Sequence, residues 1–422
     1  MPTHPFQTIS VIGLGYIGLP TAAVFASRKI RVIGVDVNPH AVEKINRGEI
    51  HIVEPDLDIA VHSAVTQGYL SASTTPQPAD AFLIAVPTPF GSEDHQPDLS
   101  YIEAACRAIA PVLKKGDLVV LESTSPVGAT EEMAGWLAQA RPDLTFPQTH
   151  SEASDIRVAH CPERVLPGKV MQELISNDRV IGGLTPLCAD RACALYKTFV
   201  TGECVVTNAR TAEMAKLTEN SFRDVNIAFA NELSIICDKL DIDVWELIAL
   251  ANRHPRVNIL QPGPGVGGHC IAVDPWFIVS SAPEHAHLIR TAREVNDAKR
   301  EWVLNKVRAA IEASLMENSG RTAADVTLAL YGLTFKPDID DLRESPALDI
   351  ARVLAREHKG PLLVVEPNIE AAPEGLDRAH LTSAESARNA DVAVMLVDHR
   401  AFRDLNRPKG RLVDSRGLWG PR

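Results

Sequence analysis

The sequence predicts an α/β protein: two Rossmann-like, doubly wound domains joined by a helical middle domain. Three observations carry this. Short β-branched runs alternate with helical patterns through the first half, a stretch without glycine or proline and with helical apolar spacing fills the middle, and strand-like runs return toward the C-terminus. A chain of 422 residues also exceeds one ordinary core. The boundaries expected are 1–210 for the first α/β domain, 211–317 for a central helical domain that carries a cysteine loop, and 318–422 for a second, smaller α/β domain.

The strands of the first domain are read at Ile9–Ile12, Arg31–Val35, Ala81–Val86 and Leu118–Leu121, each bounded by Gly, Pro or Asp, with more near Arg157–Ala159 and Arg179–Ile181. Such alternation makes βαβ units on a parallel sheet buried on both faces. From Thr211 to Ala251, Leu217, Val225, Phe229, Leu233 and Ile236 recur at helical spacing. Asn258–Pro275 is dense in Gly and Pro and reads as loop, and a second helical run covers Leu288–Glu317. Beyond the polar link Asn318–Ala324, strands are expected at Val326–Tyr331, Leu362–Val365 and Val392–Val397. The two α/β domains are candidates for distant structural echoes of each other.

Hydrophobic content of 45% and charged content of 23% are those of a globular protein, and a net charge of −12 argues against nucleic acid or anionic lipid as partners. The N-terminus lacks a secretory pattern, and no run approaches the roughly 18 apolar residues of a membrane span, so a cytoplasmic protein is expected. The seven cysteines form no CxxC pair and lie near no histidine at metal spacing. Neither a disulfide framework nor a metal site is expected, and most of the thiols should be buried.

The strongest motif is Gly13-Leu14-Gly15-Tyr16-Ile17-Gly18, directly after a strand and opening a helix. Its glycines let the chain turn tightly and bring backbone N–H groups to a pyrophosphate. Asp36 ends the second strand, where an acid meets the adenosine ribose and repels a 2′-phosphate, so NAD is the cofactor expected. The segments Val86–Pro89 and Glu122–Pro126 follow later strands. The hydroxyls of Thr88, Thr124 and Thr130 are candidates to face the nicotinamide half, although such segments alone read as capped turns.

Gly263–Pro275 holds four glycines within six residues, followed by Cys270. A thiol on such a loop can attack an aldehyde to give a thiohemiacetal, which yields a second hydride and becomes a thioester for water to cleave. An isolated cysteine is more often a buried structural thiol; the glycine-rich setting favours the nucleophile. His269 is a poor base for it, because adjacent side chains on an extended loop diverge. Lys216, Asn220 and Arg223 share one helix face, ordinarily a solvated stripe, yet a lysine there can take an alcohol proton or steady an oxyanion.

These blocks, together with Cys161-Pro162-Glu163-Arg164, Tyr331–Pro337 and Arg343–Pro346, resemble the UDP-glucose/GDP-mannose dehydrogenase family in order and along essentially the whole chain. The resemblance implies Cys270 as nucleophile, Lys216 and Asn220 at the alcohol oxygen and a bound water, Asp274 supporting that water, and Glu163 in thioester hydrolysis. It implies Arg343 at the cofactor phosphates, Phe335 and Lys336 on the sugar nucleotide, and a homodimer in which Arg256 reaches into the partner's site. Pro167 stands four residues after Glu163, where the glucose and GDP-mannose branches carry a second glutamate. That departure and His254-Pro255-Arg256 resemble the branch that oxidises UDP-N-acetylhexosamines, with Arg164, Val165, Arg223, His254, Arg256, Gly267 and Arg416 as further substrate contacts.

The implied reaction converts UDP-N-acetyl-D-mannosamine, two NAD and water into the uronate and two NADH, a step suited to polysaccharide synthesis in the cell envelope. The alternatives are UDP-N-acetylglucosamine or UDP-glucose as substrate and, in a different class, a non-catalytic NAD sensor. A 6-phosphogluconate-type or hydroxyacid dehydrogenase shares the opening motif but has no use for the cysteine loop.

Overall fold

The computed structural model of the chain describes residues 5–52, 54–91, 95–166, 168–268, 270–317 and 320–420. Pro167 and His269 therefore lie outside the described residues. The chain divides into two compact units, the first comprising residues up to Glu219 with Trp276–Ser281, the second Asn220–Pro275 with everything from Ala282 on.

The first unit is built on β1 (Thr8–Ile12), β2 (Arg31–Val35), β3 (Leu70–Ser73), β4 (Ala81–Ile84), β5 (Leu118–Leu121), β6 (Arg157–His160), β7 (Arg179–Gly183) and β8 (Cys204–Asn208). Their order is β3-β2-β1-β4-β5-β6-β7-β8, and the first six run parallel. This is the strand order of a dinucleotide-binding fold. The expectation of a wholly parallel sheet needs one correction: β7 meets β6 antiparallel, pairing Ala159 with Gly183, and β8 follows β7 in parallel. A reversed edge is common on sheets of this kind. β4 and β5 are buried throughout, because helices cover both faces with Leu19, Phe25 and Tyr196 on one side and Ile102, Met133 and Leu137 on the other.

The second unit carries the helical middle. The stretch from Thr211 forms two helices, Ala209–Lys239 and Val244–Ala251. They separate at Asp241, which has a positive φ, and Asp243, whose side chain accepts from the Trp245 and Glu246 N–H groups. The helix His287–Glu317 leads to β9 (Leu328–Tyr331), β10 (Leu362–Val365), β11 (Ala379–Leu381), β12 (Val392–Met395) and β13 (Arg411–Asp414). These form an all-parallel sheet in the order β11-β10-β9-β12-β13.

That order repeats the first five strands of the other sheet, and the turns repeat as well. Gly13 at φ 90° donates to Val35 O, and Gly332 at φ 88° donates to Val365 O. Leu14 N–H then reaches Asp36 Oδ2 at 2.9 Å, as Leu333 N–H reaches Glu366 Oε2 at 2.7 Å. The two α/β domains are thus echoes down to one hydrogen bond after the first strand. Among the described residues, no helix is long and apolar enough to cross a membrane.

Candidate active site

The opening motif has the geometry its chemistry requires. A Cβ on Gly13 would sit 2.5 Å from Ala85 O, and one on Gly18 only 1.8 Å from Gly13 O, so these glycines let strand, turn and helix close on each other. Gly15 has nothing within 4 Å and is exposed, which leaves its backbone open to a ligand. The helix Gly18–Ser27 has no side-chain cap, as suits an anion at its N-terminus. Both Asp36 oxygens accept backbone N–H groups, from Leu14 and Asn38 at 2.9 Å each, which aims the carboxylate and leaves lone pairs for ribose hydroxyls. Tyr16 and Ile17 flank this opening, Tyr16 exposed and Ile17 half-buried. The residues present fit a dinucleotide.

At the ends of β4 and β5, Thr88 donates its hydroxyl to Thr124 O at 2.6 Å and ties the two loops together. Thr130, expected at the cofactor, is fully buried and donates its hydroxyl to Glu213 Oε1 at 2.6 Å. Glu213 also accepts the Gly128 and Thr130 N–H groups, so it plugs the N-terminus of helix Ala129–Ala140 and fixes the turn of helix that carries Lys216. Lys216 is half-buried. Glu163 is buried against Arg179, at 2.6 Å. Arg164 spends its guanidinium on Glu219, at 2.7 Å, and Val165 packs on the core.

In the second unit, Asn220 donates from Nδ2 to Asp274 Oδ2 at 2.5 Å, and both are buried. Asp274 opens the helix Asp274–Ser281, whose start is fixed by Cys270 O accepting from the Val273 and Asp274 N–H groups. Of the seven cysteines only Cys270 is exposed; Cys204 is intermediate and the other five are buried. Burial pushes Cys106 and Cys161 up to about 12, so neither is a nucleophile at neutral pH.

The glycines before Cys270 answer to packing. A Cβ on Gly267 would lie 2.2 Å from Glu344 O and 2.9 Å from Phe335 Cβ, and one on Gly268, at φ 81°, 2.8 Å from the Phe335 ring. Arg416 donates to Pro262 O at 3.2 Å and pairs with Asp398 at 2.7 Å, bracing the loop's start. A buried chain continues beneath: Gly263 N–H to Asn231, Asn231 to Asn296 and Asn296 to Asp224, at 2.9, 2.9 and 2.8 Å. Arg293 closes it on Asp224 at 2.7 Å.

Residues 7–200 match the NAD binding domain of the UDP-glucose/GDP-mannose dehydrogenase family, residues 210–298 its central domain and residues 329–421 its UDP binding domain. The chain belongs to the UDP-glucose/GDP-mannose dehydrogenase family. It is therefore an NAD-dependent nucleotide-sugar dehydrogenase, with the NAD binding domain first and the UDP binding domain last. UDP-N-acetyl-D-mannosamine dehydrogenase of Yersinia pestis is 67% identical over 420 residues, covering 98% of this chain and 99% of that protein. NDP-N-acetyl-D-galactosaminuronic acid dehydrogenase of Ralstonia nicotianae is 64% identical over 418 residues, covering 98% and 96%. Among solved structures, UDP-D-ManNAc dehydrogenase from Pyrococcus horikoshii superposes with a TM-score of 0.86 at 37% identity, covering 98% of this chain and 96% of that one.

Within this member of the family, the structure gathers Asn220, Asp274, the Cys270 loop, Phe335 and Arg416 into one unit, and the Gly13–Gly18 turn, Asp36, Thr88, Thr124, Glu163 and Lys216 into the other. Arg223, His254 and Arg256 are exposed, the last two in a turn where Arg256 N–H donates to His254 Nδ1 at 3.3 Å. Arg343 is exposed and forks onto Asp341, while Lys336 is half-buried. Sequence reasoning passed over Glu213, Asp224, Asn231, Arg293 and Asn296. A signal was there: Asp224 and Asn231 follow the buried Leu217 at intervals of seven, polar residues on a core-facing stripe.

Proposed function

We propose that the chain oxidises UDP-N-acetyl-D-mannosamine at its primary alcohol to the uronate, through a covalent intermediate on Cys270. The observation that carries this reading is the exposed Cys270 at the head of a helix whose first residue, Asp274, is bonded to Asn220. NAD, when bound, accepts a hydride in each of the two oxidations.

Lys216 takes the alcohol proton in the first oxidation and steadies the oxygen with Asn220. The Cys270 sulfur then adds to the aldehyde carbon, so the half-oxidised sugar is tethered and the second hydride leaves from a thiohemiacetal. The resulting thioester is cleaved by water, with Glu163 as base and Asp274 in the water's hydrogen-bond network. Phe335, Lys336 and Arg416 hold the sugar nucleotide, together with Arg164, Val165, Arg223, His254 and Gly267. Arg343 serves the cofactor phosphates, while Thr88 and Thr124 line the nicotinamide half. The domains that do this are 1–210, 211–317 and 318–422.

A homodimer belongs to the same proposal. Phe222, Phe229 and Ile236 are 68%, 53% and 45% exposed and recur every seventh residue, with Leu240 beside them at 60%. They form one apolar stripe on a long helix, and a second copy is the partner for which Arg256 completes the substrate site. Seven free cysteines suit a reducing compartment, and we place the enzyme in the cytoplasm. Its product, a uronate on a nucleotide carrier, suits glycosyl transfer into a cell-envelope polysaccharide.

An NADH assay over UDP-N-acetyl-D-mannosamine, UDP-N-acetylglucosamine, UDP-N-acetylgalactosamine and UDP-glucose tests the substrate. The mannosamine sugar should give the highest kcat/KM. A higher value for another sugar overturns the substrate reading, and NAD binding without turnover on any of them leaves a sensor.

A further inference from the structure

Glu163 is held from two sides. Its Oε2 takes the Arg179 guanidinium at 2.6 Å and its Oε1 the Arg164 N–H at 2.7 Å. Arg179 opens β7, is 2% exposed, and lies 5.2 Å from the Tyr196 ring centroid and 5.8 Å from that of Phe199. Tyr196 in turn donates its hydroxyl to Glu122 Oε1 at 2.5 Å, and the buried Glu122 Oε2 makes no hydrogen bond.

The end of β5, the segment after β6, the start of β7 and the helix Pro186–Tyr196 thus converge on a buried guanidinium between two carboxylates. Replacing buried ions by apolar residues of similar volume is often neutral or stabilising, so a buried ion cluster of this kind is weak evidence of a purely structural role. Their common contact is Glu163, directly or through the Arg179 guanidinium.

We propose that Arg179, backed by the Tyr196–Glu122 pair, is the positioning residue that aims Glu163 at the water that cleaves the thioester. The inference rests on the reading of Glu163 as the base in that step. There, the water oxygen bonds to the thioester carbonyl carbon, one water proton passes to Glu163, and the C–S bond breaks with its electron pair leaving on the Cys270 sulfur. Arg179 touches none of the reacting atoms and acts through the rotamer it imposes. Glu122 adds a pH dependence, because burial raises its carboxyl to about 7. The groups facing it are Arg179 from β7, Tyr196 from the helix, and Glu163 with Cys161 from the segment at the end of β6.

Rapid mixing of the full-length enzyme with NAD and UDP-N-acetyl-D-mannosamine separates the two phases. Arg179→Gln should keep the rate and size of the NADH burst, lower the steady-state rate roughly tenfold or more, and accumulate acylated Cys270 by intact mass; Arg179→Lys should recover part of the rate. Glu122→Gln should remove an inflection near neutral pH from the steady-state rate and leave the burst intact. If Glu163→Gln keeps the steady-state rate, the reading of Glu163 itself fails. If Glu163→Gln slows hydrolysis while the Arg179 variants keep the wild-type ratio of burst to steady state, only the present inference is overturned. Should Arg179→Gln not fold, Arg179→Lys decides by the same ratio.

Discussion

At the scale of single residues, exposure sorts the cysteines more sharply than composition can, since Cys270 alone among seven is open to a substrate. Cys270→Ala should abolish overall turnover while NAD affinity, measured by fluorescence titration, stays within about twofold. Asp36 is fixed by two backbone N–H groups at the end of β2. Asp36→Ala should weaken NAD binding by about 1–2 kcal/mol, the scale for hydrogen bonds to a charged group; unchanged affinity by calorimetry would remove Asp36 from the ribose site. Burial raises the Glu122 carboxyl from its ordinary 4.5 to about 7. The folded chain then binds that proton more tightly than the unfolded chain. The residue's stabilising contribution is full below about pH 4.5 and is lost as the pH rises toward 7, a difference of about 3 kcal/mol. Over that window the Tm of Glu122→Gln should fall less than that of the wild type.

At the scale of elements, the cysteine loop is set by what packs beneath it. Gly267→Ala would place a methyl 2.2 Å from Glu344 O, so the loop must move. The expected outcome is a loss of at least about tenfold in kcat with NAD affinity intact. Much of this level was legible in the sequence. The Gly13–Gly18 turn, Asp36 and the strands β1, β2, β4 and β5 follow from period and turn chemistry that are local. β3 and β8 escaped notice because they are edge strands that are not buried on both faces, β3 alternating serine with apolar residues and β8 leaving Val205 and Val206 exposed. The antiparallel step at β7 is set by the path between strands and leaves no mark on their composition. The bond from Thr130 to Glu213 was not legible, because the two lie 83 residues apart.

At the scale of the whole molecule, one strand order serves twice, and the acid after the second strand has diverged between the two copies. Asp36 is half-buried and accepts two backbone N–H groups, whereas Glu366 also accepts from His399 Nε2 at 3.0 Å and is buried. Because His399 Nδ1 accepts from the Asp338 N–H at 2.9 Å, Nε2 carries the proton in that pair. The second copy is thereby committed to holding the Leu333–Pro337 loop that presents Phe335 and Lys336. The apolar stripe on helix Ala209–Lys239 makes its own prediction for the proposed homodimer: Phe229→Glu should give a monomer by light scattering and a lower kcat/KM, the outcome expected if Arg256 completes the partner's site. A dimer that persists in Phe229→Glu would move the interface elsewhere.

The central claim is that one sulfur holds the sugar between two oxidations at the same carbon. Its most direct test is the number of NADH molecules formed per UDP-N-acetyl-D-mannosamine consumed, by wild type and by Cys270→Ala. The account predicts two for the wild type and a loss of the uronate-forming second oxidation in the variant; two NADH per sugar from Cys270→Ala at the wild-type rate would contradict it.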